Sequence, residues 1–290
     1  MQEFLHQFLS GLANGGIYAG VGLALVMVYN STRRINFAQG EMAMFSTYLA
    51  WSMMNFGFSY WLAFLMTVVG SFAIGVIIQR TIMRPMTNAP VFSVIVVSTA
   101  LLVIFNSLAG WIFGYTIRSF PSPFPTNAWY ASMYMSAHEI GMVFITIGMF
   151  ALMFIFFRFT KPGLAMRAAA QNPDSSRLVG IRVDWMSACG WGLAAVTGAV
   201  AGVMAAPIVF LEPSMMNGIL LYGFAAALIG GIDNPWGATV GGFIVGVLEN
   251  VAGVYIVGTE LKLSIALAVI IGVLVVKPSG LFGHKIISRV

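Results

Sequence analysis

Six polar residues stand inside otherwise apolar runs, and their types could do chemistry: Asn36, Gln39 and Glu41 in one stretch, Asn106 in a second, Glu249 beside Asn250 in a third. A carboxylate or amide at membrane depth is costly, so it faces a protein interior or a water-filled cavity. Two uses are open. The group can line or gate a path for a polar solute. Alternatively it braces the structure: Glu41 by accepting backbone N–H bonds at a broken helix, Glu249 by bonding a neighbouring helix. Hydrolytic chemistry has no support. No G-x-x-x-x-G-K-[ST] occurs, so the chain has no P-loop for ATP. His138-Glu139 begins like a zinc-protease motif, but position 142 is Met. His6, His138 and His284 are far apart, and the single Cys189 offers neither a disulfide framework nor a cysteine cluster, so no metal is expected.

The segments that must position these residues belong to a membrane. The apolar share is 59% and the charged share 8%, against roughly 25% charged in soluble domains. Glu3 and His6 precede the first apolar run where a secretory signal would be basic, so that run is expected to be retained. A crossing helix needs about 20 apolar residues. Nine segments meet or approach this: 8–29, 36–56, 60–82, 91–113, 140–157, 185–210, 216–232, 237–257 and 261–276. The fold class is all-α, a polytopic membrane helix bundle. Nine spans are expected, with eight as the alternative if segment two or seven is re-entrant. Placing 158–184 in the cytoplasm puts 12 of the 14 Lys and Arg on that side, all but Arg118 and Lys262. Cytoplasmic excess of Lys and Arg sets orientation, so the N-terminus is expected outside and the C-terminus inside. This distribution also removes a nucleic-acid partner from consideration; the partner surface is the lipid bilayer.

Nine segments leave 1–4 and 6–9 starting from opposite sides around segment five, which is the plan of an inverted repeat. Segment two is interrupted near its start by Gly40, and segment seven is short, between Pro213 and Pro235. Interrupted segments at matching positions of two halves point to a transport site. Gly11/Gly15, Gly16/Gly20, Gly198/Gly202, Gly237/Gly241 and Gly242/Gly246 sit four apart. That spacing lets helix backbones approach closely, within one subunit or between two. In the external stretch 114–138, Pro121, Pro123 and Pro125 accompany Trp129, Tyr130 and Tyr134. These aromatics are expected to anchor the chain at the interface; docking of an external binding protein is the alternative.

One loop is too long to be a plain turn. Residues 158–184 read as two short helices. Leu164–Gln171 is alanine-rich and carries Arg167; then Asn172 caps a second helix, Pro173 takes its first position, Asp174 complements its dipole and Gly180 stops it. Leu164, Ala168, Leu178, Val179 and Ile181 would leave apolar surface outside the membrane. That surface either lies on headgroups or docks a cytoplasmic partner.

The loop "GLAMRAAAQNPDSSRLVGI" resembles the coupling loop of permease subunits in ATP-binding-cassette importers for branched-chain amino acids. Similar in order are "GLANGGIYAGVGLALVMVY", "INFAQGEMAM", "MRPMTNAP", "FLEPSMMNGILLYGFAAALIGGIDNPWGATVGGFIVGVLENV" and "KPSGLFGHKIISRV", so the resemblance spans nearly the full length. Gln39 stands where the family often has His, and Gln79 where an acidic residue is common. The resemblance implies a single transmembrane permease domain over 1–290, non-catalytic and without a cofactor of its own. ATP and Mg would be held by two cytoplasmic ATP-binding subunits. It also implies a second permease subunit, related or identical, an external solute-binding protein and the bacterial inner membrane as location. Coupling would fall to Leu164, Arg167, Gln171, Asn172, Pro173, Leu178, Gly180 and Ile181. The competing reading is a self-contained secondary transporter or channel that uses Glu41 or Glu249.

Overall fold

The computed structural model describes residues 2–125, 134–256, 258 and 261–283. Among the described residues, nine apolar helices overlap the expected segments: α1 (Gln2–Thr32), α2 (Gln39–Asn55), α3 (Tyr60–Ile78), α4 (Val91–Phe113), α5 (Ala137–Phe159), α8 (Val183–Val209), α9 (Asn217–Gly230), α10 (Pro235–Tyr255) and α11 (Lys262–Val276). Between α5 and α8 lie the short α6 (Lys161–Gln171) and α7 (Pro173–Leu178). Among the described residues six helices, α3 counted with its continuation to Met86, are long and apolar enough to cross a membrane. The helices α2, α9 and α11, with 17, 14 and 15 residues, are shorter than a full crossing. Trp129, Tyr130, His284, Lys285 and Arg289 lie outside the described residues.

Local chemistry explains where these helices begin and end. Segment two was expected from residue 36, but Asn36 accepts the Ala38 N–H through its side chain at 3.0 Å, and the helix starts only at Gln39. This side-chain bond offers the backbone an alternative to the helix. The α10 start is capped by Asn234, whose side chain accepts from the Trp236 and Gly237 amides at 3.1 and 3.2 Å, with Pro235 just inside. The α3 helix widens into a π-helical turn over Gln79–Met83 before a 3-10 turn at Arg84–Met86.

The chain divides into two compact units. One holds Met1–Val26, Phe124–Phe144 and Gly218–Val290; the other holds Met27–Pro123 and Ile145–Asn217. In segment order, the first unit gathers most of segment one with segments seven to nine. The second gathers segments two to four with segment six. Each thus combines the opening segment of one expected half with the last three of the other.

Close backbone approach holds each unit. In the first, Gly11 and Gly15 of α1 meet Gly246 of α10, Gly22 meets Ala226 of α9, and Gly241 faces Ala226 and Gly230. In the second, Gly75 of α3 abuts Trp191, Gly192 and Ala195 of α8, while Gly198 and Gly202 of α8 receive Gln39, Ala43 and Thr47 of α2. The glycine pairs therefore serve packing within the chain at these positions. Lipid supplies no hydrophobic force between helices, so this proximity is what the small residues contribute.

Candidate functional site

The six intramembrane polar residues form two clusters. In the second unit, α2 begins with Gln39 and Glu41, 0% and 2% exposed. Gln39 receives a bond from the Asn36 side chain at 3.3 Å and donates to the Ala194 carbonyl of α8 at 3.0 Å. The Glu41 Oε2 accepts from the Asn106 amide of α4 at 3.3 Å. The same amide donates to the Pro213 carbonyl at 2.8 Å. Among the described residues no backbone N–H donates to Glu41; the bracing bond at this break is made by Asn36 instead. Glu41 lies in the first turn of α2, where the helix dipole favours a negative charge, yet no cationic side chain pairs with it among the described residues.

Glu249 and Asn250 sit in the first unit with different company. Glu249, 6% exposed, accepts from the Tyr18 hydroxyl of α1 at 2.7 Å, with the Tyr222 hydroxyl of α9 close by. The two rings stack at 4.7 Å. Lys262 of α11 approaches its other oxygen at 3.8 Å and donates to Asn250 Oδ1 at 3.2 Å. The Asn250 amide reaches the Gln7 carbonyl at 3.4 Å. The expected bond from Glu249 to a neighbouring helix is thus present, to α1, with an ion pair to α11 beside it. Sequence reading missed Tyr18, Tyr222 and Lys262. The signal for Lys262 was its exception to the charge rule: a basic residue on the poorly charged side next to a short helix.

The 158–184 loop carries the two expected helices, with Thr160 capping the first through a 3.1 Å bond from the Gly163 amide. Asn172 caps the second from Ser175 at 3.0 Å, with Pro173 at its first position. Gly180, at φ +85°, closes it. The Gly180 amide bonds the Arg177 carbonyl and the Ile181 amide bonds the Ser176 carbonyl, both at 3.0 Å, the double-bonded ending that favours glycine. Leu178 is 89% exposed, Val179 76% and Leu164 60%. Arg167 and Gln171 are exposed as well. Ile181 and Ala168 depart from the expectation: both are half-buried, Ile181 because the helix ending folds its backbone back onto the preceding turn.

Basic connections gather around this pair. Arg33 donates to the Ala170 carbonyl at 3.3 Å, and Arg34 to the Thr87 and Ala89 carbonyls at 2.9 and 3.1 Å. Arg84 pairs with Asp184 at 2.8 Å.

Long apolar helices, buried polar clusters and a rigid exposed helical pair without nucleotide-binding sequence define a multi-pass membrane transport subunit. The chain belongs to the family described as branched-chain amino acid transport system / permease component, whose match covers residues 7–274. It is 28% identical to the high-affinity branched-chain amino acid transport system permease protein LivH of Salmonella typhimurium, over 99% of this chain and 98% of that one. The LivH protein of Escherichia coli K12 is equally similar, 28% over the same shares. BraD of Pseudomonas aeruginosa, also named a high-affinity branched-chain amino acid transport system permease protein, is 26% identical over 99% and 98%. Among solved structures, a chain titled "PsaBC from Streptococcus pneumoniae in complex with Fab" aligns with a TM-score of 0.48 and 12% identity, covering 91% of this chain and 88% of that one. The chain is therefore a non-catalytic, multi-pass permease subunit, and the self-contained transporter is the disfavoured reading.

Proposed function

We propose that this permease imports branched-chain or related amino acids across the bacterial inner membrane, driven by two cytoplasmic ATP-binding subunits. A second permease subunit, related or identical, and an external binding protein complete the assembly. The relatives' names supply the substrate class. The single observation behind the ATP coupling is the α6–α7 pair, capped at both starts, closed by Gly180 and presenting Leu178, Val179 and Leu164 to a partner. Such a lever can carry the closure of an ATPase into helix movement. Glu41, with Asn36, Gln39 and Asn106, serves the path or its gate; Glu249 and Asn250 brace the first unit.

The orientation follows the basic residues: N-terminus outside, C-terminus inside. Contacts between connections support the alternation. His6 bonds the Tyr134 carbonyl, Ser10 bonds Glu139, and Arg118 pairs with Leu211, all between connections expected outside. Arg33 with Ala170, Arg34 with Thr87, and Asn234 with Phe282 join connections expected inside.

Leu178→Asp tests the apolar contact, and Gly180→Pro tests the helix ending, since proline can adopt neither the positive φ nor donate the N–H. Truncating a central anchor commonly costs about 2 kcal/mol or more of binding. Both variants should insert normally and lose uptake together with stimulated ATP hydrolysis. Wild-type uptake by both, with an ATPase still attached, would remove 158–184 as the coupling element. In a Cys189→Ser background, a cysteine at 122 should react with an impermeant thiol reagent from outside. One at 175 should react only after the membrane is opened, and the reverse pattern overturns the orientation.

A further inference from the structure

A groove of about 350 Å³ opens between the end of α3 and the start of α8, lined by Arg80, Arg84, Arg177, Arg182, Asp184 and Trp185. Four guanidinium groups thus meet one carboxylate. Arg84 uses that carboxylate at 2.8 Å, and Arg177 shares it at 3.9 Å while also pairing with Asp174 at 3.2 Å. Arg80 meets an aromatic ring instead, its guanidinium carbon 4.4 Å from the Trp185 centroid. Arg182 has no acidic partner among the described residues. The π-helical turn at Gln79–Met83 and the adjoining 3-10 turn put Arg80 and Arg84 on the rim.

The groove also meets the first turn of α8, a 27-residue helix without a side-chain cap. A helix start favours an anion, although Asp184 already stands in this first turn, so the excess positive charge of the groove comes from Arg80 and Arg182, which have no carboxylate partner among the described residues. Trp185 is half-buried at the same level, as interfacial aromatics are. Both bordering helices are membrane-spanning candidates, so the groove lies where a spanning segment meets the headgroups.

We propose that this groove binds the phosphate group of an anionic phospholipid from the leaflet that faces the basic loops. The inference rests on reading 158–184 as lying outside the bilayer on that side, but needs neither the amino acid substrate nor the ATPase. The recognised chemistry is a phosphate oxyanion, which free phosphate shares. The membrane supplies it at the right depth, with the acyl chains left beside α3. Because Arg177 belongs to α7, an occupied groove would tie the lever to the membrane surface and make coupling depend on lipid charge.

The test uses the full-length protein, with any subunits that co-purify, equilibrated with phosphatidylcholine alone or with one-third phosphatidylglycerol. Retained lipid is then counted by native mass spectrometry. Phosphatidylglycerol should be retained in preference. A basic residue near a membrane surface contributes about 1 kcal/mol of attraction, so Arg80→Gln with Arg182→Gln should weaken retention about 25-fold. Asp184→Asn should strengthen it, a direction that misfolding cannot imitate. Displacement of the lipid by equimolar inorganic phosphate would keep the phosphate chemistry and assign a soluble source; resistance to displacement assigns the lipid. Unchanged retention in the double arginine variant overturns the proposal. So does unchanged retention accompanied by loss of a co-purifying ATPase, which would make the groove a protein contact.

Discussion

The two units solve the same structural problem with different chemistry. Each ties its helices together through polar groups at membrane depth. In the first unit the hub is Glu249, surrounded by two hydroxyls and an ammonium group drawn from α1, α9 and α11. In the second unit the ties are neutral: Gln39 to the α8 backbone, Ser71 to Ser46 at 2.8 Å, and Asn106 to the Pro213 carbonyl. The carboxylate there, Glu41, is an addition to a network that would hold without it. Its one bond, at 3.3 Å, comes from an amide already engaged elsewhere. A buried charge that is matched in place acts as a brace, because removing either partner strands the other. A buried carboxyl left unmatched is costly to keep charged and takes up a proton instead, unless, as we propose for the path, a cationic partner arrives and leaves. An amino acid carries an ammonium group of that kind.

The sharpest way to break this comparison is Glu249→Ala. The change leaves Lys262 without its counter-charge and the Tyr18 hydroxyl without its acceptor. Breaking a buried pair costs roughly 3–5 kcal/mol, and Lys262 is a partly exposed partner at 24%, so about 3 kcal/mol is expected. Thermal unfolding of the purified protein in detergent should show the loss, and uptake should fall only in proportion to folded protein. A well-folded variant with no uptake would make Glu249 part of the path and erase the distinction. Lys262→Met should cost less, about 2 kcal/mol, since its removal leaves the Tyr18 hydroxyl on Glu249. Glu249→Gln added to Lys262→Met should recover part of that loss, a coupling that a double-mutant cycle reads directly.

How far the sequence reaches differs between the two regions. The second unit's chemistry is local: Asn36, Gln39 and Glu41 lie within six residues, and their concentration in an apolar run marks them without a structure. The loop helices were legible for the same reason, since Asn172, Pro173 and Gly180 act through neighbouring backbone. The first unit's network was not legible. Tyr18 and Glu249 are 231 residues apart, and a tyrosine among apolar residues carries no mark of its partner. Lys262 was read as an exception in a charge count, because loop charge reports orientation and not pairing. The groove at Arg80 and Arg182 was equally hidden, its lining drawn from two stretches far apart in the sequence that only packing brings together. Boundaries failed where side chains intervene, as at Asn36, which delays α2.

Glu41→Gln sharpens the contrast from the other side. The substitution keeps the size and an acceptor for Asn106, so unfolding should shift by no more than about 1 kcal/mol, the scale of a single hydrogen bond. Uptake should fall at least about tenfold. A hydrogen bond to a charged group is worth roughly 1.5–3 kcal/mol, and about 1.4 kcal/mol is a factor of ten in rate. Normal uptake would remove Glu41 from the mechanism. Loss of folded protein would place it with Glu249 as a brace, and the two regions would then differ only in composition.

The smallest effect belongs to Tyr18→Phe, and it asks whether the Glu249 network is a brace in every part. The change deletes one 2.7 Å bond to the carboxylate and keeps the ring, so the 4.7 Å stack on Tyr222 remains. Glu249 retains Lys262 as its ion-pair partner, with the Tyr222 hydroxyl close by. The loss should be about 1 kcal/mol, near the low end for a bond to a charged acceptor because that acceptor stays satisfied. Initial uptake rate per folded molecule should be unchanged at saturating and at limiting solute. A brace gives that result because it acts on how many molecules are folded, not on what each one does. If the rate per folded molecule drops while unfolding is unaffected, the hydroxyl is engaged during transport. The first unit would then carry part of the path that we propose for the second.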